Sequence, residues 1–185
     1  MVITPSGDVP MQLAGNTPVI GGADQYPNLS NPGLWSRIQA IDLSMVKMKL
    51  MHPKDGKNWS QEKVDEVEKC YRRYLYLSYM QKDYPVVPTH DIDDFWHQHI
   101  LDTFAYARDC KATFGEFMHH FPYLGLRGPE DALLLKSSFE RTCADHLRIF
   151  NEPYMTSAPA DCGDAACGCT KGCGSNSCGD GTVRA

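Results

Sequence analysis

Residues 91–103 read Asp-Ile-Asp-Asp-Phe-Trp-His-Gln-His-Ile-Leu-Asp-Thr, and the period of this stretch decides the fold. Rotated by about 100° per residue, Ile92, Trp96, Thr103, Ala107 and Cys110 fall in one stripe, flanked by Phe95, Ile100 and Tyr106. The spacing predicts a helix from Asp91 to Cys110 that runs on toward Phe117. His99 lies inside the stripe. His97 lies at its boundary beside Leu101 and Phe104, because residues two apart on a helix point to nearly opposite sides.

Outward from this stretch, the chain alternates helical periods with breakers. Upstream, Pro85-Val86-Val87-Pro88 is extended, since proline removes a donor and pushes its predecessor out of the helical region. Before it, Ser60 is a good N-cap with Gln61 and Glu62 in the first turn, and Val64, Val67, Tyr71, Tyr74, Leu75 and Ser78 mark one face. Earlier still, Ile38, Ile41, Met45 and Met48 predict one helix between Asn31-Pro32-Gly33 and His52-Pro53. Downstream, Gly125, Gly128 and Pro129 punctuate a loop. A last helix starts at Glu130, with Ala132, Leu135, Phe139, Cys143, His146 and Phe150 inward.

The expectation is therefore an all-α fold, a bundle of about four helices over residues 34–150. A flexible Gly/Pro/Asn/Ser-rich lead, residues 1–33, precedes it. Behind it comes a disordered Gly/Cys-rich tail, residues 151–185, with too little apolar area to offset ordering entropy.

Composition narrows the partners. The formal charge is −5 and the basic residues are scattered through the helices, so neither nucleic acid nor an anionic membrane surface is expected. No stretch is apolar for the roughly eighteen residues a bilayer needs. The start, Met1 to Asp8, lacks a basic region leading into an apolar one, so a cytoplasmic protein is expected. In that compartment its eight cysteines are thiols or metal ligands rather than disulfides.

The chemistry concentrates on histidine. A buried imidazole left without a partner costs on the order of 1–3 kcal/mol, so His99 needs a hydrogen bond or a metal. Asp102 and Thr103 lie three and four residues beyond it, and Asp93 and Asp94 stand in the same relation before His97. His119-His120 comes after a short stretch in which Gly115 and Pro122 let the chain turn back. A metal site built from His97, His99, His119 or His120 with Asp102 is one reading, supported by Asp93, Asp94, Trp96, Thr103 and Tyr106. His90 and His146 are weaker candidates. Spacing alone favours the plainer alternative, with His97 covering the core edge, His99 hydrogen-bonded in the core and His119-His120 on the surface. A two-residue spacing of helical histidines is no zinc signature.

The Trp96-His97-Gln98-His99 element, with Asp91 to Thr103, Tyr106, Cys110, Phe114-Gly115 and His119-His120, resembles the glycine-rich domain-containing protein-like family of plants and bacteria. The resemblance covers Leu34 to Gly128. It implies that Trp96, His97 and His99 belong to a shared site, which tips the balance toward metal. The long glycine-rich regions of the plant members have no counterpart here, so no signalling or RNA role carries over.

The tail is a second motif. Cys162, Cys167, Cys169, Cys173 and Cys178 lie among Gly, Ala, Ser, Asn and Asp, a segment able to wrap zinc or copper(I). Three functional classes are open. One is a metal-binding protein holding zinc or iron at the histidines. Another is a metal-dependent enzyme activating water or dioxygen, or a precursor peptide whose tail is altered by a modifying enzyme. The third is an interaction module with a protein partner.

Overall fold

A computed structural model of the chain describes residues 22–154. Its centre is a helix whose second half is buried on every side. This helix, Gln61–Met80, starts at Ser60, whose hydroxyl accepts the Lys63 amide at 3.2 Å. From Cys70 to Leu77 every residue is buried, whereas a surface helix buries one stripe.

The other elements wrap it. In chain order the helices are α1 (Pro32–Gln39), α2 (Ser44–Met51), α3 (Gln61–Met80), α4 (His90–Leu101), α5 (Thr103–Phe114) and α6 (Pro129–Phe150), after a short 3-10 turn at Ala23–Gln25. Helices α1, α2, α4 and α6 pack on α3, and α5 packs on α1 and α4. The fold is all-α, with six helices among the described residues in place of the four expected. None of these helices is long and apolar enough to cross a membrane.

Both extra helices come from breaks inside a run that looks continuous. The first expected helix divides at residues 40–43, where Asp42 Oδ1 accepts the Ser44 amide at 3.0 Å. The break resets the phase: α2 buries Val46 and Leu50, while Met45 and Met48 face solvent. The third divides at Asp102, which leaves helical geometry (φ −83°, ψ 74°) and caps α5 by accepting the Ala105 amide at 3.2 Å. Asp competes with the helical backbone in this way and prefers caps to helix interiors. Beyond it α5 buries Tyr106, Asp109, Cys110, Thr113 and Phe114 and leaves Phe104 outside, 92% exposed, as is Leu101 at the end of α4, 73%. Gly115, at φ +80°, stops α5 before Phe117.

Burying α3 all round means burying its charges. Arg72 pairs with Glu68 at 2.7 Å and donates to the carbonyls of Ile38, in the last turn of α1, and Ile41, just beyond that helix. Lys47 completes the cluster on Glu68 at 2.8 Å. The next residue, Arg73, donates to Tyr26 Oη at 2.8 Å and to both carboxylate oxygens of Glu152 at 2.7 and 2.9 Å. This pairing holds the Glu152 carboxyl down at about 2.

These contacts carry the packing beyond the expected limits of 34 and 150. Tyr26 meets Trp35 and Phe150 edge to face at 5.4 and 5.2 Å. Past α6, Asn151 adopts a left-handed turn (φ 54°), and the Glu152 carbonyl accepts from His146 Nδ1 at 2.9 Å. Tyr154 is buried and donates to the Val87 carbonyl at 3.2 Å. The lead up to residue 21 and the thiols from Cys162 onward lie outside the described residues.

Two outcomes test this core. Glu68→Ala leaves Arg72 buried without its counter-charge and is expected to cost about 3–5 kcal/mol in urea unfolding. His146, fully buried, is pushed down to about 4 from 6.5, chiefly by burial. The unfolded chain therefore binds this proton at a higher pH than the folded chain. Stability is expected to be full above pH 6.5 and to fall as the pH drops to about 4, by about 3 kcal/mol at 1.36 kcal/mol per pH unit. Unfolding measured across that window checks it, and His146→Asn should flatten the slope.

Candidate metal centre

Helix α4 presents two donors one turn apart. Asp93 and His97 are i and i+4, and the His97 Nε2 lies 3.5 Å from Asp93 Oδ2. The loop after α5 brings a third donor to them. His120 Nε2 is 3.0 Å from His97 Nε2 and 3.0 Å from Asp93 Oδ1. Together they form a group that could hold a metal ion, with one donor atom of each residue within 4.8 Å of the others.

The return of that loop has a traceable cause. Gly115 reverses the chain, and Tyr106, on α5, donates from its hydroxyl to the Met118 carbonyl at 2.6 Å. The same hydroxyl accepts from Trp96 Nε1 at 2.9 Å, and the Trp96 ring lies 4.5 Å from that of His120. Trp96 and Tyr106 thus position His120 without being donors themselves. Burial pushes the Tyr106 hydroxyl well above its ordinary value, which keeps it a proton donor to Met118.

Asp93 meets the two imidazoles through different carboxylate oxygens, Oδ2 toward His97 and Oδ1 toward His120. Each neutral imidazole carries one N–H, so His120 Nε2 can serve one of its two neighbours as donor or acceptor, and an ion within the group would instead take a lone pair from each side chain. At bond lengths of about 2.0–2.2 Å and angles between about 90° and 109°, it sets its donors about 2.8–3.6 Å apart. The observed 3.0, 3.0 and 3.5 Å fall in that interval.

The group sits at the rim of a groove of about 420 Å³. Asp93 and His120 line it beside Tyr74, Val86, Trp96 and Leu134. His97, its side chain 48% exposed, closes the group from the solvent side. The volume is that of a small-molecule site, and the walls are largely apolar around a few polar groups.

Residues 36–152 match the UCP032817-like family model. The chain belongs to the UCP032817-like family. That match overturns the resemblance to the glycine-rich domain-containing family, which rests on a four-residue element and its neighbours, whereas this one spans all three donors. No curated protein and no solved structure matches the chain.

Within the UCP032817-like segment, the other candidates from the sequence have different surroundings. His99, 2% exposed, is held on both nitrogens: Tyr71 donates to Nδ1 at 3.0 Å, and Nε2 donates to Asp109 Oδ2 at 3.2 Å. Burial lowers its proton affinity in spite of Asp109, and no lone pair remains for an ion. Asp102 caps α5 through Oδ1, lies outside the Asp93, His97 and His120 group, and leaves the hydrogen bond to His99 to Asp109. His119 is exposed, its ring 5.0 Å from Phe117, while its neighbour His120 turns inward. Asp94 pairs with Lys57 at 2.8 Å on another side of α4. Thr103 is the exposed first residue of α5, and Cys110 is buried in the core.

Asp93 is expected from the sequence only to support His97, yet its carboxylate completes the triangle. The i, i+4 spacing of Asp93 and His97 is a signal the sequence does contain; nothing local selects His120 over His119. Tyr106→Phe removes the acceptor of Trp96 and the donor to Met118. It is expected to cost about 1–3 kcal/mol in urea unfolding and to speed amide hydrogen exchange over residues 115–120 more than elsewhere.

Proposed function

We propose that the protein binds one divalent transition metal, zinc or iron, through Asp93, His97 and His120, with the remaining coordination positions facing the groove. The observation that carries this reading is the convergence of two imidazoles and a carboxylate, with His120 Nε2 3.0 Å from His97 Nε2 and 3.0 Å from Asp93 Oδ1, separations that suit the ligands of one ion. Two imidazoles and one carboxylate form the donor set of open zinc and non-haem iron centres.

Three protein ligands are fewer than a closed structural site uses, and this favours a centre that also takes a small molecule from the groove. A metal-dependent enzyme is the second reading. The same openness supports it, because an ion with a free position lowers the pKa of bound water or receives dioxygen. The tail thiols would be a separate station for zinc or copper(I), and a cytoplasmic setting would keep them reduced.

Elemental analysis of protein purified without added metal, then titration with zinc(II) and anaerobic iron(II), tests the proposal. One equivalent is expected at the histidines of a variant with all five tail cysteines changed to serine. Asp93→Asn, His97→Ala and His120→Ala should each weaken it by more than the roughly 10–100-fold that loss of a mere supporting group costs. His119→Ala should leave it unchanged. Equal affinity in the His120→Ala and His119→Ala proteins would refute the assignment.

A further inference from the structure

The loop after α5 also lines the groove, and it is fastened at an arginine. Asp131, in the first turn of α6, accepts the amides of Gly125 at 2.6 Å and Arg127 at 3.2 Å, and its other oxygen takes the Arg127 guanidinium through Nη2 at 2.6 Å. Gly125, at φ +91°, packs so closely on α6 that a Cβ there would stand 2.6 Å from Leu135 Cδ2. The guanidinium lies over the Phe121 ring, 5.0 Å from its centroid. Arg127, Phe121 and Leu135 line the same groove as Asp93 and His120.

A guanidinium has five N–H groups, and among the described residues Arg127 gives only one side-chain hydrogen bond, the one to Asp131. Held by a carboxylate and an aromatic face, it has little freedom left to lose when a second carboxylate meets its remaining N–H groups.

The other unspent polar group of the groove is also a donor. Ser78, on α3, lines it with an Oγ that is shielded from water and has no hydrogen-bond partner among the described residues. Apart from the exposed His119, the side-chain acceptors are engaged. Gln81 Oε1 takes the amides of Lys82 and Asp83 at 2.9 and 3.0 Å, and Asp93 belongs to the metal group. Tyr84 and Gln81 Nε2 both donate to Asp145 Oδ2. With a divalent ion in place, the ion, Asp93, Arg127 and Asp131 together carry one positive charge in excess. A ligand that brings acceptor oxygens, a negative charge and an apolar body complements these walls.

We propose that the small molecule taken by this groove is an organic acid, its carboxylate held by Arg127 and its apolar body lying against Val86, Trp96 and Leu134. This deepens the metal reading above and rests on it, because the acid is the molecule that the open positions of the ion face.

Phenylacetate, titrated into nitrogen-labelled protein stripped on a chelating resin and into its zinc-loaded form, is the probe. The expected result is a saturable set of amide shifts at residues 121–128 and 134–135. Phenylacetamide, of the same shape and without the charge, should bind the unaltered protein at least about tenfold more weakly. Arg127→Gln should weaken phenylacetate at least about tenfold in the stripped protein, where no ion competes for the carboxylate. Arg127→Lys should restore part of that loss, and Lys136→Gln, at an exposed cation outside the groove, should change nothing. Equal binding of acid and amide, shifts confined to other residues, or an affinity unchanged in Arg127→Gln would overturn the proposal. Binding that appears only with zinc and ignores Arg127→Gln would mean that the ion alone holds the carboxylate; it would overturn the role of Arg127 and leave the metal centre standing. Binding through Arg127 in a protein that takes up no zinc would support the acid as the groove's ligand and remove the metal reading.

Discussion

Everything else in the fold depends on α3 being buried around its whole circumference from Cys70 to Leu77. A helix in that position cannot send its charges to water, so Glu68, Arg72 and Arg73 must find partners inside. They find them on segments far away in sequence. Arg72 takes carbonyls at and just beyond the end of α1, and Arg73 takes Tyr26 before α1 and Glu152 after α6. A charge pair in this setting loses much of its gain to desolvation, so its main consequence is positional. It fixes where the first and last described segments lie against the centre.

The metal group inherits its geometry from that arrangement. Helix α4 packs on α3 through Ile92, Phe95, Trp96 and His99, which leaves Asp93 and His97 at the edge. Trp96 lies between the two regions, its ring against Tyr74 of α3 at 5.2 Å and against His120 at 4.5 Å. Its indole nitrogen holds the Tyr106 hydroxyl that holds the loop. A residue of the core thus sets the position of a donor at the surface.

Two histidines on one helix have opposite chemistries for the same reason. His99 faces inward, where Tyr71 and Asp109 use both of its nitrogens and burial disfavours its charged form. His97 faces outward, where its Nε2 meets a second imidazole and a carboxylate. The Trp-His-x-His element therefore pairs one structural histidine with one donor, and membership of the UCP032817-like family covers both.

Local spacing by itself determined the helical class, the Ser60 cap, the extended Pro85–Pro88 segment, the inward face of α3, and the opposed positions of His97 and His99. Each depends on residues within a turn or two of one another. The phase on either side of Asp42 and Asp102 was not legible, because a stripe of apolar residues continues by coincidence across both breaks. The choice between a helical and a capping aspartate is made by what the next turn must bury. The third donor was legible as a histidine pair but not as His120, and the sequence offered Asp102 as the carboxylate ligand and Asp93 only as a support. Only tertiary structure separates them, because the loop is folded back by Gly115 and fastened through Met118 to Tyr106 and Trp96. A donor that arrives from a distant segment is selected by the packing that carries it there, and no period along the chain records that packing.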